Sequence, residues 1–189
     1  MGLPLQKKLL TAAEYLVWEE GQIERHDFID GEVFSMSGAE DRHVTVALNF
    51  GIALQTHLTG GACRVYLSDM KLNVRSLNRY FYPDIMVTCS AADRENRLIK
   101  SEPTLIVEVL SPSTAAYDRG AKFVSYRQIP SLREYVMADI DSRLIEVYRL
   151  GDQGLWVLHP FDLRVAAAML SLTSVDLTLT AEQVFADVD

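Results

Sequence analysis

Apolar residues at Val44, Leu48, Ile52 and Leu58 recur at roughly helical spacing, and Gly60-Gly61 follows them, so the pattern predicts a long helix from Asp41 to about Leu58. Upstream, Thr11 stands three residues before Glu14 in a capping-box pattern, which predicts that "AAEYLVWEE" is a short amphipathic helix. Between the two, "HDFIDGEVFSM" alternates about Asp30-Gly31, a strong hairpin signal. "CRVYLSDMKLNV" and "YFYPDIMV" read as two antiparallel strands around a polar turn near Ser76 to Arg79. A charged, loop-like segment, "SAADRENRLIKSEP", separates them from the strand "TLIVEVL".

Downstream, Asp118 to about Ile129 reads as a helix carrying Lys122, Phe123 and Tyr126 and ended by Pro130. "REYVMADI" and "RLIEVYRL" predict a hairpin about Asp141-Ser142, and "LWVLHP" adds a strand. "LRVAAAMLSLTSVDLTL" fits strand or helix, while "TAEQVF" has the form of a short capped helix. The order of elements predicts an α/β (α+β) fold, a mixed sheet with helices packed on it, in a single domain over residues 1–189.

Composition narrows the function classes. With 49% hydrophobic and 23% charged residues the chain has the make-up of a soluble globular protein. Its uncharged runs are too short or too mixed to span a bilayer, and "MGLPLQKKLL" has no apolar signal core, so a cytoplasmic protein with no membrane partner is expected. Cys63 and Cys89 are too few for a disulfide framework, and their apolar contexts predict buried reduced thiols without a role. The net charge of −8 argues against a broad basic face for nucleic acid, although a local Lys/Arg patch beside a metal-binding acid cluster remains compatible with it.

Two carboxylates stand out from this pattern. Asp84 lies within "YFYPDIMV", and Glu108 is the only charge from Leu105 to Leu110. Burying an ionised carboxylate without a partner costs several kcal/mol. On neighbouring strands the two acids would sit side by side, and at about 4 Å they would repel by about 4 kcal/mol at an effective dielectric near 20. They therefore call for a cation or a shared proton, and an all-oxygen site of this kind suits Mg²⁺ or Mn²⁺. If the preceding hairpin closes about Leu77 and Asn78, Lys71 stands across from Asp84, as a counter-ion or as a catalytic lysine.

The set "FIDGEV" (28–33), His43 at the start of a long helix, "PDIMV" (83–87), "LIVEVLSPST" (105–114), "DRGAKFVSY" (118–126) and "EYVMADID" with "EVYRL" (134–150) resembles the Uma-type putative restriction endonuclease family of the PD-(D/E)XK nuclease superfamily. The resemblance implies a restriction-endonuclease-like core whose metal site hydrolyses phosphodiester bonds, with DNA as the expected partner; a homodimer is expected because cutting two antiparallel strands suits a two-fold pair of sites. It implies Asp84, Glu108 and Lys122 as catalytic residues, and Asp84, Glu108 and the main-chain carbonyl of Val109 as ligands of Mg²⁺ or Mn²⁺. The superfamily's lysine position, two residues after the second acid, is Leu110 here, and the family's lysine matches Lys122 instead. Glu32 and His43 match family positions as accessory residues, and Arg119 and Arg127, flanking Lys122, are candidates for nucleic-acid contacts. Two other readings stay open: an inactive member of the fold acting as a nucleic-acid-binding or protein-interaction module, and a nuclease for RNA or for branched or single-stranded DNA.

Overall fold

A computed structural model describes residues 9–36 and 38–189. The stretch 1–8, where no apolar signal core is expected, lies outside them. Helix α1 (Ala12–Glu20) starts on the expected capping box, with Thr11 and Glu14 each accepting from the other's backbone N–H. Strands β1 (His26–Ile29) and β2 (Glu32–Ser35) form the expected hairpin, and its turn has Asp30 at φ 51° and Gly31 at φ 93°. Helix α2 runs from Asp41 to Leu58 as the periodicity predicts, but the residues that mark the period are not its buried face. Val46, Phe50 and Leu54 are fully buried, whereas Val44, Leu48 and Ile52 are about half exposed.

Both long predicted strands break in two. The first becomes β3 (Arg64–Leu67) and β4 (Lys71–Val74); the second becomes β5 (Arg79–Phe81) and β6 (Ile85–Thr88), interrupted at Tyr82-Pro83-Asp84. Pro83 has no N–H to give a ladder, so a break at this point loses little. The outer halves β4 and β5 pair with each other and the inner halves β3 and β6 likewise, in two different sheets. The β4–β5 register is Leu72↔Phe81, Asn73↔Tyr80 and Val74↔Arg79, closed by a loop in which Asn78 takes φ 52°. Lys71 is therefore not across from Asp84. Its Nζ instead lies 5.3 Å and 5.9 Å from the ring centres of Tyr15 and Tyr82.

The charged segment read as a loop is structured. Helix α3 (Ala91–Glu95) is capped by Ser90, and β7 (Ile99–Lys100) follows. Lys100 is 2% exposed, with its Nζ donating to the carbonyls of Asp93 and Asn96 at the end of that helix. Strand β8 (Pro103–Leu110) leads into α4 (Ala115–Tyr117), a π-helical turn (Asp118–Lys122) and α5 (Phe123–Tyr126), where one regular helix is expected. Then come β9 (Glu134–Asp139), β10 (Leu144–Leu150) and β11 (Trp156–Asp162). The ambiguous tail resolves into β12 (Met169–Leu172), a 3-10 turn (Thr173–Val175) and β13 (Leu177–Thr180), before the capped helix α6 (Ala181–Val184).

A six-stranded mixed sheet in the order β11-β10-β9-β8-β6-β3 forms the centre, with β8 and β9 parallel and the other pairs antiparallel. Alternation along β8 sends Leu105, Val107 and Val109 into a core with α2 and α6, and Ile106 and Leu110 into a second core with Phe123 and Tyr126. The second sheet, β2-β1-β5-β4-β7, contributes Leu72, Val74 and Phe81 to that second core. The predicted mixed α+β architecture is thus present, with three sheets rather than one, the third being the two-stranded β12–β13 pair.

The cysteines depart from expectation: Cys63 and Cys89 form a disulfide. They flank the β3–β6 pair, one step beyond Arg64↔Thr88, so the register that pairs the strands brings them together. Cys89 is exposed and Cys63 half-buried, so neither is a buried free thiol.

Glu134 ties the tail to the sheet. It is 1% exposed and accepts from Arg149 Nε at 2.7 Å, from the N–H groups of Thr173 and Ser174 at 3.1 and 2.8 Å, and from both their hydroxyls. Burial works to raise its carboxyl, but these donors outweigh it and hold the pKa below the ordinary 4.5. The contribution is present above about 4.5 and lost as pH falls through the lower folded value. Glu134→Ala is expected to cost about 3 kcal/mol in chemical denaturation, because Arg149 and two N–H groups lose their acceptor. Glu134→Gln should show a weaker loss of stability below pH 4.5 than the wild type.

Candidate active site

The break at Tyr82-Pro83-Asp84 builds the site. Strand β6 begins at Ile85, paired with Val107, so beyond that point β8 has lost its neighbour on one edge. Asp84 fills the gap. Its Oδ2 accepts the N–H of Val109 at 2.8 Å, while the N–H of Asp84 approaches Glu108 Oε2 at 3.4 Å. Each acid is thus held by the other strand's backbone, and the side-by-side arrangement expected from the sequence is present. N–H and C=O of one extended residue point to the same strand edge, so the Val109 carbonyl faces the gap that holds Asp84.

On the other face of β8, the helical stretch 115–126 covers Glu108. Lys122 Nζ lies 2.8 Å from Glu108 Oε1 and 3.4 Å from Asp118 Oδ1, and the Tyr126 hydroxyl donates to the same Glu108 oxygen at 2.8 Å. The π-helical turn, a local irregularity that recurs at functional sites, carries both Asp118 and Lys122 inward. Lys122 is 8% exposed and Glu108 3%. Burial would lower the Lys122 pKa, yet the charges of Glu108, Asp118 and Asp27 outweigh it and hold the ammonium well above its usual value. For Glu108 burial pushes the carboxyl up, against the pull of Lys122.

His43, in the first turn of α2, reaches across to Asp84, with Nε2 3.1 Å from Oδ1. Burial of Asp84 is outweighed by this contact, by the charges of His43 and Lys122 and by the Val109 N–H, so its carboxyl titrates below the ordinary range. For His43 the hydrogen bond and charge of Asp84 outweigh burial and raise the imidazole.

Four predicted residues do not join this group. Glu32 sits on β2, the outer strand of the second sheet, with no hydrogen bond or ion pair to Asp84 or Glu108 among the described residues. Lys71 belongs to the Tyr15–Tyr82 cluster described above. Arg119 is engaged by Glu146 at 2.6 Å and Asp139 at 3.4 Å. Arg127 is exposed and makes no ion pair among the described residues. An acid the sequence does not single out, Asp27 of β1, five residues before Glu32, is held at the Tyr82-Pro83-Asp84 break: its Oδ1 accepts the Tyr82 N–H at 3.3 Å. Burial pushes its carboxyl up to about 6 against the charge of Lys122 and the Tyr82 N–H, with Asp118 and Glu19 adding to the rise. The only sequence signal for Asp27 was a charged residue between His26 and Phe28 in a predicted strand; that the strand's first three residues are all buried is seen only in the fold.

Among the described residues no three His, Cys, Asp or Glu side chains lie close enough to hold a metal by themselves. The donor set nevertheless fits a hard, hydrated cation: two adjacent carboxylates and a main-chain carbonyl facing one gap, with the remaining positions open to water. The residues that could hold it are Asp84, Glu108 and Val109 through its carbonyl.

A family model described as "Uma2: Putative restriction endonuclease" matches residues 12–182. Two proteins of Synechocystis sp. (strain ATCC 27184 / PCC 6803 / Kazusa), "Uncharacterized protein slr1290" and "Uncharacterized protein sll1609", are each 36% identical to the chain. The first match covers 93% of this chain and 91% of the relative, the second 80% and 86%. A crystal structure from Anabaena variabilis ATCC 29413, described as "a putative nuclease belonging to DUF820", superposes with a TM-score of 0.76 over 93% of this chain and 97% of its own at 16% identity. At that identity the likeness is one of fold.

Proposed function

The chain belongs to the Uma2 family of putative restriction endonucleases, and from that premise we propose that it is a metal-dependent endonuclease hydrolysing phosphodiester bonds in DNA. The observation that carries the proposal is the pair of adjacent carboxylates, Asp84 and Glu108, facing one gap with the Lys122 ammonium 2.8 Å from the second. A binding module has no use for buried acids that repel one another, whereas a hydrolase does. Mg²⁺ or Mn²⁺ is the proposed cofactor, and when bound it would polarise the phosphate and acidify a water.

The chain's own residues have distinct parts in this reading. Asp84 and Glu108 supply carboxylate oxygens, and the Val109 carbonyl a third, on rigid strand ends. Lys122 takes the place of the absent strand lysine at Leu110 from the facing helix: its ammonium stays protonated against Glu108 and Asp118 and stabilises charge developing on the phosphoryl oxygens. Tyr126 fixes the Glu108 oxygen that Lys122 uses, and His43 orients Asp84. Arg127 is free to meet a DNA phosphate, and Arg119 would have to leave Glu146 and Asp139 to do so. A single nuclease-like domain working as a homodimer completes the proposal, since two-fold related sites suit two antiparallel strands. A cytoplasmic setting, where thiol pools keep cysteines reduced, would open the Cys63–Cys89 bond.

The second reading, an inactive interaction module, is favoured by the net charge of −8 and the half-exposed Val44, Leu48 and Ile52 on α2. Isothermal titration with Mg²⁺ and Mn²⁺, run beside plasmid cleavage on wild type and Asp84→Ala, separates the two. The nuclease reading expects wild type to bind metal and cut, and the variant to do neither. Wild type that binds no metal at millimolar concentration and leaves DNA intact would move the assignment to the interaction module.

A further inference from the structure

Hydrolysis needs a group to take the proton of the attacking water, and the residues already assigned are poorly placed to do so. Lys122 is held as an ammonium between Glu108 and Asp118 and has no lone pair to offer. Glu108 Oε1 accepts from both Lys122 and Tyr126, and Asp84 has Oδ1 on His43 and Oδ2 on the Val109 N–H. Asp118 is tied to Lys122 as a counter-ion.

Asp27 differs from all of these. It is 9% exposed, its Oδ1 is fixed by the Tyr82 N–H at 3.3 Å, and no hydrogen bond or ion pair reaches its Oδ2 among the described residues. The charges that act on it most come from Lys122 and Asp118 on the π-helical turn and from Glu19 on α1. The Tyr117 hydroxyl is buried without a hydrogen-bond partner among the described residues, in the field of Asp27, Lys122, Asp118 and Glu108. Buried polar atoms are nearly always paired, so the unpaired Tyr117 hydroxyl, in the field of Asp27 and Lys122, marks a place for a water or a substrate atom.

We propose that Asp27 Oδ2 is the proton acceptor for the attacking water, with the Tyr117 hydroxyl as a second contact to that water; this rests on the nuclease reading above. One O–H bond of the water breaks and its proton passes to Asp27, while the oxygen forms the new P–O bond. The bond from phosphorus to the leaving ester oxygen breaks with its electron pair going to that oxygen, which takes a proton from solvent. Asp27 then returns its proton to solvent. A carboxyl raised towards neutral pH by burial suits this task better than a salt-bridged one.

The test compares wild type, Asp27→Asn, Asp27→Ala and Asp118→Ala for cleavage of a DNA oligonucleotide with Mg²⁺, with and without added formate, and for DNA affinity in chelator. Asp27→Asn keeps the acceptor for the Tyr82 N–H, so its melting temperature, KM and DNA affinity should match wild type while kcat falls by about 10²- to 10⁴-fold. Formate, a small free carboxylate, should restore part of the kcat of Asp27→Ala but not of Asp118→Ala. Wild-type kcat in Asp27→Asn, absence of formate rescue in Asp27→Ala, or rescue in Asp118→Ala instead, overturns this assignment alone. A wild type that does not cleave overturns the nuclease reading and this assignment with it.

Discussion

Lys122→Met is expected to lower stability by about 3–5 kcal/mol, because it breaks a buried ion pair from one side and leaves Glu108 and Asp118 without their cation. For a domain of this size that is a fall of about 6–20 °C in melting temperature, read by calorimetry in metal-free buffer. The side chain volume is nearly kept by methionine, so the loss reports charge rather than packing. Added Mg²⁺ or Mn²⁺ should recover part of the stability, since a cation between Asp84 and Glu108 offsets some of the same negative charge. Cleavage should not recover with it. A variant as stable as the wild type would mean that Glu108 is neutral in the folded protein and that Lys122 is not its counter-ion.

Glu108→Gln cuts the same ion pair from the other side and should behave in the opposite way. Burial already disfavours the ionised form of Glu108, so exchanging it for a neutral amide removes a cost. The amide oxygen can still accept from Tyr126, and Lys122 keeps Asp118 at 3.4 Å. Stability should therefore remain within about 1 kcal/mol of the wild type, while metal binding is lost and plasmid cleavage falls on the order of 10³-fold. Such a separation is the signature of a residue kept for chemistry at some cost to the fold. If Glu108→Gln unfolds the protein but a refolded sample still binds metal, Glu108 is structural and the metal site must be sought elsewhere.

The residues that bear on the site differ in how far the sequence alone could place them. Asp84 and Glu108 stood out in the sequence because two acids interrupt apolar strands, whereas Lys122 was singled out only by the family resemblance. Asp27 was not, because the family resemblance pointed to Glu32; the Ile29↔Glu32 register puts both acids on one face, and only the tertiary structure shows that Glu32 lies on the outer strand while Asp27 is held by the Tyr82 N–H. Lys71 was misplaced by a hairpin assumed to be symmetric about Leu77 and Asn78; the real loop closes one residue earlier on the chain. Cys63 and Cys89 were read separately, and nothing in their spacing of 26 residues announces that they are opposite each other.

Local physics and pattern determined the elements themselves: the capped α1 and α6, the Asp30-Gly31 hairpin, the extent of α2 and the run of apolar strands. These depend on contacts within a few residues, which a sequence states directly. The tertiary structure decided the rest. It split "YFYPDIMV" between two sheets at Pro83, turned Val46, Phe50 and Leu54 of α2 inward in place of Val44, Leu48 and Ile52, and brought Asp27, Glu108, Asp118 and Lys122 from β1, β8 and the π-helical turn to one place. Strand register and the facing of a helix are settled by which partners are available for burial and hydrogen bonding across the whole domain, and that information is spread over the chain rather than held in any one segment.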